Sequence, residues 1–205
     1  MSEGVLLRAA EQMGVPLAEK QGQQMEDYLD LLVKWNRTYN LTAIRDRKRM
    51  VTHHILDSLS VIPLLSAKRV ADLGSGAGLP GIPIALLHPE REVVMVDSNV
   101  KKSRFIQQAI LELGLIHASV VHSRAEQFQP RALFDGVVSR AFSSLSQFLS
   151  LAAPLLSPGG QAIAMKGKWS KGEEERVTGY ELEEVTAVVV PGLYAERHIV
   201  VYRKQ

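Results

Sequence analysis

The sequence predicts an α/β fold, a doubly wound sheet of seven strands preceded by a helical extension. Three observations carry that reading. From Arg69 onward, short β-branched runs alternate with apolar helical stretches, the pattern of parallel strands joined by crossover helices. The last two strand-like runs, Val185–Val190 and His198–Tyr202, are joined by Pro191–Arg197, which is too short for a crossover helix, so they form an antiparallel hairpin. Before Ser66–Lys68 the chain shows helical spacing and no strand. That boundary divides it into a helical extension, 1–66, packed on a sheet domain, 67–205.

The elements follow in order. Met25, Leu29, Leu32, Trp35 and Tyr39, joined by Tyr28, recur at three- and four-residue steps and make one core-facing stripe. Asp46 caps a second helix running through 47–65, which brings Met50, His54 and Asp57 to one side. Val70–Leu73 is a short strand ending at glycines, and Gly81–Leu87 is an all-apolar, buried helix with Pro80 and Pro83 at its start. Glu92–Val96 is a strand. Ser98 is then a cap for a helix carrying Phe105, Ile106, Ala109, Ile110 and Leu113, which Gly114 ends. Ser119–His122 and Phe134–Ser139 are strands, Leu145–Leu156 an apolar helix closed by Ser157, Pro158 and Gly159, and Gln161–Met165 the fifth strand.

Composition excludes several chemistries. The 205 residues are 46% hydrophobic and 22% charged, ordinary for a soluble globular chain. There is no cysteine, which removes disulfides, thiolate metal sites and thiolate nucleophiles and fits a reducing cytosol. No signal-peptide core or bilayer-length apolar stretch is present, so no membrane partner is expected. A net charge of +2 permits a nucleic-acid partner without demanding one.

The chemistry centres on residues 70–81, VADLGSGAGLPG. A strand runs into a loop with Gly74, Gly76 and Gly78, and a helix follows. Such glycines let the backbone approach a ligand, and the helix start favours an anion or carboxylate. Gly76, Gly78 and Gly81 satisfy G-x-G-x-x-G, which admits a nicotinamide-dependent oxidoreductase. The fuller pattern starts at Asp72, whose carboxylate would repel a pyrophosphate and attract an ammonium. S-adenosylmethionine has an α-amino group and no phosphate, so the charge favours the methyl donor. Asp97 closes the next strand and suits ribose hydroxyls, which both cofactors share. The sheet uses nearly all the residues after the loop, leaving none for a second substrate region. Five alternating strands with a terminal hairpin resemble the class I methyltransferase (Rossmann-like) fold. A non-catalytic RNA-binding or assembly factor that keeps this fold is a third reading.

The segment Ser139-Arg140-Ala141-Phe142 replaces the Asn/Asp-Pro-Pro-aromatic motif usual in exocyclic-amine methylation, and no cysteine is available for carbon-5 chemistry. An acceptor that is already nucleophilic remains. Guanine N7 is one, and its methylation needs alignment rather than an obligatory base.

Residues 74–83, GSGAGLPGIP, with Val96-Asp97-Ser98, Ser123-Arg124-Ala125-Glu126, Phe134-Asp135-Gly136, Ser139-Arg140-Ala141-Phe142 and Lys166-Gly167, resemble the RsmG/GidB family. Asn40-Leu41-Thr42 and His54-Ile55-Leu56-Asp57-Ser58 extend the likeness into the helical part. That family methylates a guanine N7 of 16S ribosomal RNA in bacteria. The resemblance implies that Gly74 and Leu79 line an S-adenosylmethionine pocket, that Ala125 and Glu126 bracket the adenine, and that Arg140 stands where cofactor and RNA meet. Arg140 is then the catalytic candidate, clamping guanine O6, an RNA phosphate or the cofactor carboxylate through its forked donors. Gly76, Gly78 and Asp97 complete the cofactor set.

Six basic residues against one acid lie between Lys34 and His54, among them Arg45, Arg47 and Lys48, with Trp35 and Tyr39 interleaved. Basic and aromatic residues together suit RNA. Arg124, Lys166 and Lys168, with Lys171, are the other candidates for RNA contact. His54 and Asp57 read as a structural pair rather than a metal site, and Asn40-Leu41-Thr42 as a turn. The expectation is a cytoplasmic, metal-free monomer acting on 16S ribosomal RNA or the small ribosomal subunit.

Overall fold

A computed structural model describes residues 3–142, 144–169 and 177–205. Seven strands form one sheet in the order β3-β2-β1-β4-β5-β7-β6. They are β1 (Arg69–Leu73), β2 (Glu92–Asp97), β3 (Ala118–His122), β4 (Phe134–Ser139), β5 (Leu156–Lys166), β6 (Tyr180–Ala187) and β7 (His198–Lys204). β1 to β5 run parallel, and β7 pairs antiparallel with both β5 and β6. The helices are α1 (Glu3–Gln12), α2 (Glu19–Tyr39), α3 (Arg47–Met50), α4 (Asp57–Leu59), α5 (Gly81–Leu87), α6 (Val100–Glu112) and α7 (Leu145–Ala152).

The strand residues alternate between two cores, as the pleat requires. Val70, Val93, Met95 and Val138 face one core, which α5, α6 and the helical extension cover. Ala71, Leu73, Val94, Val96 and Val137 face the other, which α7 covers with Phe148 and Leu149. The first core crosses the boundary near Ser66: Leu6, Met25 and Leu29 share it with Ile82 and Ile106. Tyr28 is fully buried, and its hydroxyl donates to the Ala77 carbonyl at 2.7 Å. The extension therefore reaches the glycine loop directly.

Several boundaries differ from the sequence reading. α7 stops at Ala152, and β5 starts at Leu156, taking in Ser157-Pro158-Gly159. The apolar run is continuous through helix and strand, so hydrophobicity does not mark the change, while Gly159 at φ 76 turns the chain inside β5. β6 begins at Tyr180 rather than Val185; as an edge strand it alternates buried Tyr180 with exposed Glu181 and Glu183. The cap of α6 is Asn99, whose side chain accepts from the Lys101 and Lys102 amides, not Ser98. Tyr39 ends the α2 stripe 41% exposed, stacked on Trp35 rather than buried.

The helix expected over 47–65 begins as predicted, with Asp46 Oδ1 accepting the Arg49 amide at 2.7 Å. Between α3 and α4, however, Val51–Leu56 winds as a π-helix. Such insertions often sit at functional positions, and this one carries His53 and His54.

Candidate active site

The carboxyl ends of β1, β2 and β4 converge on the glycine loop. The Gly74 and Ser75 amides donate to the Val96 carbonyl at 2.8 and 3.2 Å, which folds the loop over β2. Asp97 supports it from that side: Oδ2 accepts the Gly76 amide at 2.8 Å and Oδ1 the Asn99 amide at 2.8 Å. From β4, Ser139 Oγ donates to the Leu73 carbonyl at 2.6 Å and accepts the Ala141 amide at 3.1 Å. A Cβ placed on Gly74 would lie 2.7 Å from Ala141 Cβ, so the two chains approach as closely as glycine allows. Gly78 has φ 84, and a Cβ there would lie 2.7 Å from Ile82 Cγ1.

Asp72 is fully buried beneath this loop. Oδ2 accepts the Gly81 amide at 2.8 Å and so anchors the start of α5, while Oδ1 has no hydrogen-bond partner among the described residues. Burial pushes the carboxyl up to about 7, and Asp97 adds to the rise. The expected open carboxylate at a strand end is thus an anchor under the loop. Any ionised fraction of Asp72, with Asp97 nearby, acts on a group above the loop only through space, where it favours positive charge over a pyrophosphate.

Arg140 departs further from its expected pose. Its guanidinium turns to the helical extension, where Nη1 donates to the His53 carbonyl at 3.0 Å and to Asp57 Oδ2 at 3.1 Å. Asp57 Oδ1 accepts Arg197 Nε at 2.7 Å. The expected His54–Asp57 pair is not formed, because both Asp57 oxygens hold arginines. His54 Nε2 lies 3.0 Å from Thr42 Oγ1 instead. Burial, helped by Arg140, pushes His54 down to about 4, so it is neutral near pH 7.

The remaining predicted residues fall into three situations. Leu79 is buried at 2% exposure, its side chain part of the core. Ala125 and Glu126 occupy the short turn after β3, half-buried and exposed respectively. Among the basic residues, Arg45, Lys48, Arg124 and Lys168 are exposed and Lys166 is half-buried at the end of β5, with its ammonium 5.4 Å from the Trp169 ring centroid. Arg47 is committed to Glu26 and Asp30 at 2.6 and 2.7 Å, which makes it a brace between α3 and α2. Lys171 lies outside the described residues. Asn40 is a turn residue as expected, left-handed at φ 50, ending α2.

Sequence reasoning missed Tyr28 as a support of the glycine loop, Asp57 as a two-arginine hub and Arg197 altogether. The first two lay within motifs already noted; Arg197 had no local signal. Among the described residues no helix is long and apolar enough to cross a membrane, and no group of His, Cys, Asp and Glu is arranged to hold a metal ion.

A seven-stranded, mostly parallel sheet with a terminal hairpin and a glycine loop at its carboxyl edge defines the class I methyltransferase fold. Solved structures agree on that fold. Magnesium protoporphyrin IX methyltransferase from Synechocystis PCC 6803, with bound SAM, matches at a TM-score of 0.64 and 14% identity over 87% of this chain and 98% of that one. A SAM-dependent methyltransferase from Aquifex aeolicus matches at 0.60 and 17% over 81% and 97%. The chain belongs to the GidB family, rRNA small subunit methyltransferase G, whose family model matches residues 21–200. It is 49% identical to the ribosomal RNA small subunit methyltransferase G of Chromobacterium violaceum over 92% of this chain and 91% of that one. It is 45% identical to the protein of that name from Aromatoleum aromaticum over the whole of both chains.

Proposed function

We propose that this chain transfers a methyl group from S-adenosylmethionine to N7 of a guanine in 16S ribosomal RNA. The observation that carries the reading is the convergence of the glycine loop, Asp97 and the Ser139–Arg140 corner at one sheet edge, in a chain of the rRNA small subunit methyltransferase G family. S-adenosylmethionine, when bound, supplies an electrophilic methyl on a sulfonium. Gly74, Gly76 and Gly78 shape the backbone that holds the cofactor, with Leu79 packing behind them. Asp97, already fixed by two amides, keeps further lone pairs for ribose hydroxyls. Ala125 and Glu126, on the turn beyond β3, flank the adenine. Arg140 orients the acceptor base. N7 carries no proton, so positioning and electrostatics suffice and no general base is required.

The exposed Arg45, Lys48, Arg124 and Lys168, with Lys166, serve RNA phosphates; Arg47 serves the fold. The same reading takes the protein to be a cytoplasmic monomer that uses no metal. Calorimetry with S-adenosylmethionine, S-adenosylhomocysteine and NAD tests the cofactor: binding of NAD in preference to the other two would sink the reading. Mapping N7-methylguanine in 16S ribosomal RNA with and without the protein tests the product, and an unchanged map removes it.

A further inference from the structure

A second polar cluster lies beside the glycine loop, on the other side of Arg140. A cleft of about 340 Å³ opens between the π-helical segment, the ends of β4 and β5, and the start of β7. Asp57 lies in its wall, with its side chain 4% exposed, and holds Arg140 and Arg197, each about one-quarter exposed. One carboxylate facing two guanidiniums leaves the trio net positive.

The donor inventory shows what remains. Arg197 commits Nε to Asp57 at 2.7 Å and Nη1 to the Glu196 carbonyl at 2.9 Å; Nη2 makes no hydrogen bond among the described residues. The next residue, His198, also lines the cleft, and its Nδ1 lies 2.8 Å from the Gly167 carbonyl. A guanidinium held through Nε and Nη1, with Nη2 left over in a cleft of net positive charge, is suited to an oxyanion.

Strand order argues which oxyanion. Arg197 leads into β7, and β4 and β5 stand between β7 and β1. Neighbouring strands lie roughly 4.8 Å apart, so three steps put the start of β7 about 14 Å from the glycine loop at the backbone. Arg140, next to the Ala141 that abuts Gly74, lies between them, so Arg140 faces the cofactor side of the shared Asp57 and Arg197 the outer side of the cleft.

We propose that Arg197, pinned by Asp57, binds a backbone phosphate of the RNA next to the base presented at Arg140. This rests on the RNA methyltransferase reading. It adds a contact outside both basic segments of the sequence.

The test uses the full chain and 16S ribosomal RNA transcribed in vitro. Arg197→Gln should bind this RNA about tenfold more weakly, as expected for loss of one charge-assisted bond. The salt dependence of RNA binding should fall by about one counterion. Calorimetry should give S-adenosylmethionine affinity equal to that of the wild type. Should Arg197→Gln unfold because Asp57 has lost a partner, Arg197→Lys restores a charge opposite Asp57 without the fork. It should raise KM for RNA more than it lowers kcat. A folded variant with wild-type RNA affinity and salt slope would make Arg197 only a counterion of Asp57. A loss of S-adenosylmethionine affinity with RNA affinity intact would assign the cleft to the cofactor, and it too overturns the proposal. A wild-type protein that binds S-adenosylmethionine but neither binds nor methylates this RNA overturns the wider reading; variant results against an active wild type judge the cleft alone.

Discussion

Asp97 carries Gly76: the carboxylate takes that amide at 2.8 Å while its other oxygen takes the first amide of the α6 cap, Asn99, at the same distance. One side chain thus sets both the glycine loop and the helix after β2. Asp97→Ala should cost about 1–3 kcal/mol of stability, since two part-buried amides lose a charged acceptor. S-adenosylmethionine affinity should fall by more than that loss, because the loop and the ribose contact go together. Denaturant titration paired with calorimetry checks both, and normal cofactor binding in a destabilised variant would leave Asp97 a structural brace only.

Asp72 and His54 should act on stability in opposite directions over overlapping pH ranges. Asp72 rises from 3.8 to about 7 on folding. The folded state therefore holds its proton more tightly, and this group's contribution falls as pH rises from about 4 to 7. His54 drops from 6.5 to about 4, so its contribution is lost as pH falls from 6.5 toward 4. The two partly cancel in the wild type. Asp72→Asn should gain stability relative to wild type above pH 7, and His54→Gln should lose less than wild type on acidification. Unfolding midpoints measured across pH would show either slope, and parallel curves for wild type and variant would refute the assignment.

Gly78→Ala should be far more damaging than Gly14→Ala, although both glycines have positive φ, at 84 and 72. Around Gly14 no described residue lies within 4 Å of an added Cβ, so that change costs only the left-handed penalty of about 1–2 kcal/mol. At Gly78 the added carbon meets the Ile82 side chain at 2.7 Å, in the buried core, so the loop or that side chain has to shift. Melting temperatures rank the two. S-adenosylmethionine binding should survive in Gly14→Ala and be lost in Gly78→Ala.

Arg140→Ala should slow single-turnover methyl transfer by at least tenfold. It should also cost about 1–2 kcal/mol of stability, because Asp57 keeps only Arg197. Arg140→Lys should recover most of the stability and a fraction of the rate, since an ammonium can face Asp57 but cannot offer a fork. A wild-type rate in Arg140→Ala, at saturating cofactor and RNA, would remove this residue from the mechanism.

The parallel sheet and the glycine loop were legible because their signals are local. A short apolar run over Val70–Leu73, glycines at fixed offsets and an apolar helix after them need no knowledge of distant chain. Asp46 was legible as a cap for the same reason. The π-helical turn was not, since one residue's worth of extra winding over Val51–Leu56 barely disturbs a helical apolar pattern. The Asp57 hub was not either. Its partners lie 83 and 140 residues along the chain, and only the sheet order brings them together. The strand at Leu156 and the start of β6 were misread because apolar content, rather than pleat or edge position, guided the reading.

The placement of β7 between β5 and β6 bears on how the molecule is made. β6 precedes β7 in sequence yet, among the described residues, has no other neighbour in the sheet. A nascent chain that has emerged only as far as Arg197 carries β6 as a strand without a docking partner, and β5 with an open edge. The Arg197–Asp57 pair, which ties the hairpin to the helical extension, must wait for the same step. During vectorial synthesis the earlier strands can assemble as they appear. Completion of the sheet and closure of the cleft fall together, as one event set by the arrival of β7.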